Sequence, residues 1–301
     1  MKVLRNETAD YLTANFSETE TLWLVTDLYN YADERRYGHY IYKYAGVSGT
    51  NTTDNPLIDS ALFSPSWVEI APTNYYAMLD GKTNTKTVNA DTIEITIPCS
   101  NYDAVSLLGV IGNSVSLSLY DNTSMAVVYT NTINLKDESL VVDEYSYWFS
   151  DFVFVPVIYD DSMPLYTDST LTIIIDNTGS NAECGRLVFG RSFYVGDTGY
   201  GANLTLESYS RKEVDVFGNE TLVQRGSVNL DSYEVLVPTN KIPPLRRKAK
   251  ELDAIAILFI MDESSTSNLE NLLNFGYWAD FTMLIPSPSK STISLTIKGI
   301  L

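Results

Sequence analysis

Between Thr87 and Leu135, apolar and polar residues alternate with a period of two. Ile93, Ile95 and Ile97 interleave with Thr92, Glu94, Thr96 and Pro98, and Val115, Leu117 and Leu119 with Ser114, Ser116, Ser118 and Tyr120. Successive side chains of an extended chain point to opposite faces, so this pattern buries one row and wets the other. A helix would spread the same residues around its circumference. Within a later partner segment, Leu171–Val195, the run Ile173-Ile174-Ile175, like Val127-Val128-Tyr129 before it, reads as a central strand. These features predict a β-sandwich at the middle of the chain.

With 301 residues, 45% of them hydrophobic, the chain can bury a sizeable core and form two or three domains. Its 38 acidic and 20 basic residues give a net charge of -18. Such a field repels nucleic acid, and the cations are scattered except around Lys241–Lys250, so no direct DNA or RNA binding is expected. No run of about 18 apolar residues is present, so no membrane span is expected. Met1–Glu7 lacks the apolar centre of a signal peptide, which implies cytoplasmic synthesis without the usual export route. Cys99 and Cys184 read as two buried, reduced thiols ahead of a bridge. The 21 tyrosines suit strands, and the abundant Asn and Ser suit their turns.

The chain divides into three segments. Residues 1–70 hold an aromatic cluster of Trp23, Tyr29, Tyr31, Tyr37, Tyr40, Tyr42 and Tyr44. Tyr37–Lys43 reads as a strand after a Gly turn, followed by a polar loop from Gly46 to Ser66 and a closing Trp67-Val68-Glu69-Ile70. This arrangement resembles the small chitin-binding-type modules of carbohydrate-binding families 5 and 12, although Arg35 and Arg36 replace the usual valine-and-tyrosine pair before the hairpin glycine. The resemblance implies a three-stranded unit. Exposed rings of Tyr37, Tyr40, Tyr42 and Trp67 would stack on sugars; the plainer reading makes them a mini-core.

Residues 71–198 carry short strands at regular spacing: the alternating runs above, Tyr147-Trp148-Phe149, Val153-Phe154-Val155, Leu171–Ile175, an Asp176–Asn181 turn and Cys184–Val188. That spacing suits a jelly roll, and the segment resembles galactose-binding-like jelly rolls. Residues 199–301 read as an α+β unit. Two strands flank a Phe217-Gly218-Asn219-Glu220 turn, and Arg225–Pro238 forms a third. Pro243 and Pro244 open a helix from Ile242; Ala254–Met261 is a buried strand, Ser267–Gly276 a short helix, and Tyr277–Pro286 and Ser291–Leu301 close the unit.

The order Ser210-Arg211-Lys212, Asp215–Asn219 and Gln224-Arg225, behind a jelly roll that opens with Asn74–Gly81, resembles virion proteins of tailed bacteriophages over residues 70–301. The C-terminal hairpin, helix and strand order is similar to the ring-forming domains of tail-tube and distal-tail proteins. The resemblance implies a non-enzymatic structural protein of the virion, assembled as a ring homo-oligomer in the tail, baseplate or tail hub. Its partners would be itself, other tail proteins and host-surface glycans. Arg211, Lys212, Phe217 and Arg225 would lie at the subunit boundary, the cations meeting acidic neighbours.

Catalytic patterns are missing from the sequence. His39 has no nearby Cys or Ser nucleophile, Cys99 has no basic neighbour, and neither zinc spacing nor a phosphate loop occurs, so no cofactor or metal is expected. Asp137-Glu138, Asp143-Glu144 and Asp160-Asp161 are the carboxylate pairs a glycosidase would draw on, and Asp160, Asp161, Asp176 and Asn177 are the residues a calcium ion would use. All read first as solvated loop groups. The main alternative to a tail protein is a carbohydrate-binding surface protein acting in host attachment; a β-sandwich glycosidase is a third.

Overall fold

A computed structural model describes the chain apart from residues 51, 53, 138–143, 150–152, 215–216, 263–271 and 301. Its N-terminal third contains β1 (Lys2–Arg5), β2 (Thr13–Ala14), β3 (Glu34–Tyr37), β4 (Tyr40–Tyr44), the short helix α1 (Pro56–Asp59) and β5 (Trp67–Pro72). The middle follows with β6 (Thr87–Cys99), β7 (Ala104–Leu108), β8 (Ser114–Asp121), β9 (Ala126–Asn134), β10 (Lys136–Asp137), helix α2 (Glu144–Phe149), β11 (Val153–Phe154), β12 (Val157–Asp160), β13 (Ser169–Cys184) and β14 (Arg186–Gly190). The last part comprises β15 (Ser192–Tyr194), β16 (Asp197–Thr198), β17 (Asn203–Ser208), β18 (Arg211–Val214), β19 (Glu220–Val223) and β20 (Ser227–Pro238). Helix α3 (Ile242–Glu251), β21 (Ile257–Ile260), β22 (Leu273–Leu284) and β23 (Lys290–Gly299) complete it. The protein is mainly β, with its strands in several antiparallel sheets.

Four layers account for the sequence pattern. A five-stranded sheet, β2-β6-β13-β8-β9, faces a three-stranded sheet, β12-β7-β14, across one core. Ile173 lies opposite both Ile95 and Leu117, so the alternating rows of three strands meet in register and are buried together. The second face of the three-stranded sheet is buried as well: Ala104, Leu108 and Val188 pack on Leu4, Leu258, Ile260 and Phe275 of the C-terminal sheet. That sheet, in the order β15-β1-β21-β22-β23-β20, with β16 and β17 both on the outer side of β20, is covered on its far face by α3. Ile242 and Leu245 of the helix join Val3, Phe259, Ile293 and Leu295. β7 is therefore buried at every position, Ser106 included, and β21 reads as an unbroken apolar run, because both of their faces are covered.

Sheet membership does not follow the segments 1–70, 71–198 and 199–301. β1 sits between β15 and β21, so the first residues of the chain and residues 192–198 complete the C-terminal sheet. Only β3-β4-β5 forms the expected three-stranded N-terminal unit.

Four local readings are corrected. Tyr147-Trp148-Phe149 belongs to helix α2, not a strand. Val127-Val128-Tyr129 lies on β9, at the edge of its sheet, and Val127 is exposed. The expected Asp176–Asn181 turn is a register shift inside the long strand β13, which pairs with β6 on both sides of it. The first half of the expected Ser267–Gly276 helix lies outside the described residues, and from Leu273 onward the chain is β22. Gly276 does not stop a helix: a Cβ there would overlap the Lys298 carbonyl of the neighbouring strand, so glycine permits a close backbone approach.

Candidate functional site

The proposed stacking residues separate into two pairs. Trp67 is fully buried, its ring edge-on to Tyr29 at 4.8 Å and tilted against Tyr44 at 4.9 Å. Its backbone N–H donates to Asp59 Oδ2 at 2.6 Å and its indole N–H to Thr52 Oγ1 at 3.3 Å. Tyr42 is buried in the same cluster. The faces of these two rings are occupied, so neither can receive a sugar. The physical reason is size: a module of three short strands has no other apolar material for a core. Tyr37 and Tyr40 are half-buried, against Trp23 at 5.8 Å and Tyr76 at 6.0 Å.

What this module does expose is a knob that lay unnoticed within the polar loop. Asn55 caps α1 by accepting from Ile58 N at 3.0 Å, and Pro56 fits the first turn. Pro56 and Asp59 point inward, while Leu57, Ile58, Leu62 and Phe63 are each at least half-exposed and Phe63 wholly so. The turn is fixed by bonds from Ser60 N to Pro56 O at 2.9 Å and from Leu62 N to Asp59 O at 3.0 Å. From Tyr44 to Gly81 the chain has no Lys or Arg but carries Asp54, Asp59, Glu69 and Asp80. Apolar residues clustered on an exposed turn mark an interaction surface.

A second exposed element is the ribbon β18–β19, whose strands, among the described residues, pair only with each other. Tyr209 N donates to Gly226 O at 3.1 Å and Arg225 N to Ser210 Oγ at 3.1 Å, which joins the ribbon to the end of β17 and β20 as an arm. Val214 and Leu222 are exposed on one face, and Phe217 at the tip is 87% exposed beside Gly218, whose φ of 82° the turn requires. Two of the expected interface cations already have partners within the ribbon: Arg211 pairs with Glu213 and Lys212 with Glu220. The first pair runs along one face of β18 and the second crosses to β19, so both cations are satisfied within the ribbon.

A third feature is a cleft between α3 and β22. Ile242 and Leu245 turn toward the sheet, which leaves Arg246, Arg247 and Lys250 outward. A bulge between Trp278 and Asp280 bends β22 beneath them. The resulting open cleft, about 360 Å³, is lined by Arg246, Lys250, Asp253, Trp278, Asp280 and Phe281. Trp278 is edge-on to Phe259 and Phe281, both at 5.0 Å. Its Nε1 is buried and has no acceptor among the described residues.

No known protein family matches the chain, and no curated protein matches it in sequence. Function must therefore be argued from the geometry.

The remaining chemistry-bearing groups are structural in their contacts. Asp160, expected in a solvated loop, is buried at the end of β12; it accepts from Tyr129 OH at 2.7 Å, Asn131 Nδ2 at 2.8 Å and Ser162 N at 2.9 Å. Asp161 pairs with Lys2 Nζ at 2.5 Å. Glu138 and Asp143 lie outside the described residues. The ring of His39 stacks on Tyr76 at 4.3 Å, with Asp10 3.7 Å from its Nε2. Arg186 is buried with its guanidinium 4.2 Å over the Phe275 ring, and burial pulls its pKa down to about 10.

Cys99 and Cys184 are free thiols in the sandwich core. Burial pushes the Cys184 thiol up to about 12 and raises that of Cys99, so both stay neutral and unreactive at physiological pH. Iodoacetamide at pH 8 is therefore expected to leave the native protein unmodified and to label two thiols in denaturant, read by intact mass. Labelling of the native fold at a rate near that of free cysteine would contradict this burial.

Proposed function

We propose that this protein is a structural component of a bacteriophage tail, a ring-forming tail, baseplate or hub protein that works by binding geometry and carries outer β modules. The observation that supports it most is the β18–β19 arm. An isolated two-stranded ribbon is marginal in water, and this one also exposes Val214, Phe217 and Leu222, so its stability calls for a covering neighbour. The two facing sheets support the finer reading of the middle segment as a galactose-binding-like jelly roll: β6, β13, β8 and β9 face β12, β7 and β14, and β2 from the N-terminal third adds an eighth strand. The carbohydrate-binding alternative has lost Tyr42 and Trp67 as platforms. On this reading the protein resides in the virion after synthesis in the host cytoplasm.

The test is excision of the arm alone. Removing everything after 198 would strip β1 of β21 and β16 of β20, so that truncation reports on folding rather than assembly. Replacing Tyr209–Gly226 by a short Gly-containing turn keeps β17 paired with β20. The full chain is expected to form closed rings in negative-stain micrographs, and the arm-less chain to melt at nearly the same temperature but form none. A full chain that remains monomeric at about 100 μM would defeat the ring reading.

A further inference from the structure

We propose that the cleft between α3 and β22 receives the Leu57–Phe63 knob of a second copy of this chain. This rests on the self-assembly reading above and names a contact within it. The knob and the cleft are both exposed in one copy, so they do not satisfy each other within the chain. Each lacks what the other has. The knob offers Leu57, Ile58, Leu62 and Phe63 within a stretch that is acidic and free of cations. The cleft offers aromatic walls from Trp278 and Phe281 beside helix α3, which carries the strongest concentration of positive charge in the sequence.

Charge sets the choice of partner. Lys241–Lys250 carries five cations and no carboxylate; all 38 carboxylates and the other 15 cations lie elsewhere, which leaves the rest of the chain at -23. In the lining itself Arg246 and Lys250 are balanced by Asp253 and Asp280, and the positive excess comes from the rest of α3, where Arg247 is exposed. The lowest-energy protein surface for it is therefore acidic and apolar at once, and residues 44–81 of a second copy meet both conditions. The cleft volume of about 360 Å³ admits one or two apolar side chains. Knob and cleft are different patches, so the contact is heterologous: it propagates from copy to copy and closes only if the rotation per subunit divides the circle.

The decisive experiment uses two full-length variants that damage opposite halves: Leu62→Ser with Phe63→Ser in the knob, and Arg246→Glu with Lys250→Glu in the cleft. Sedimentation velocity in low salt is expected to show assembly of the unaltered chain. Each variant alone should associate at least about 30-fold more weakly, the scale of losing one interface hot spot. A 1:1 mixture should then form a dimer and nothing larger, because only one intact knob and one intact cleft remain. That complementation also shows that both variants are folded. If both variants assemble like the unaltered chain, the contact proposed here is wrong and the assembly reading survives. If each variant is monomeric and the mixture stays monomeric while circular dichroism shows both folded, the pairing is likewise overturned. If the unaltered chain never self-associates, both readings fall together.

Discussion

A Trp67→Ala chain is expected to lose the fold of its N-terminal module while the other sheets stay intact. Removing a buried tryptophan costs about 3–5 kcal/mol. Here it removes the largest member of a four-residue core in which Tyr29, Tyr42 and Tyr44 make up the rest. A unit of this size has a total stability of only about 2–7 kcal/mol, so the loss is comparable to the whole. The effect should remain local, because Trp67 contributes to a cluster separate from the sandwich and C-terminal cores. Hydrogen exchange read by mass spectrometry gives the check: β4 and β5 should lose protection, and β6 and β13 should keep theirs. Unchanged protection of β4 would mean that Trp67 does not hold the module together. The knob rides on the same module through the bond from Trp67 N to Asp59, so the substitution should also abolish the proposed docking.

Leu4→Ala should destabilise the protein at its centre despite lying four residues from the start of the sequence. Leu4 is fully buried between β21 and the three-stranded sheet, packed with Ala104, Leu108, Val188 and Leu258. Deleting such a side chain leaves a cavity and costs about 2–5 kcal/mol. Because Leu4 packs across the boundary between the C-terminal sheet and the three-stranded sheet, the cost is shared by two layers, and both should open together. Urea denaturation should show the full loss for Leu4→Ala and a change within about 0.5 kcal/mol for Arg5→Ala, whose side chain is exposed. Equal effects at the two positions would show that β1 is not inserted in the sheet. Selective loss of β21 protection alone would show that it does not join the layers.

How much of this was legible beforehand depended on the range of the interaction. The alternating rows of β6, β8 and β13 could be read directly, because strand period and burial are both local consequences of an extended backbone. The hairpin around Gly218 and the helix after Pro243 were likewise written in turn and cap residues. The aromatic module was legible as a unit, but not which of its rings faced inward: Tyr37 and Tyr42 are the same residue type, and only packing separates them.

The sites of interest were harder still. The knob was hidden because four apolar residues in a loop carry no period; only the capping of α1 and the anchor at Asp59 turn them outward. The cleft was split across the sequence, with Arg246 and Lys250 on a helix and Trp278 and Phe281 on a strand whose bulge no local signal announced. The sequence by itself determined strand content, the amphipathic rows and the charge imbalance, since these follow from composition and periods of two or 3.6. Placing β1 among the last strands, covering the three-stranded sheet on both faces and bringing a basic helix over an aromatic strand were decided by tertiary structure. Those outcomes turn on which buried surfaces fit one another across hundreds of residues, and no local pattern encodes that fit.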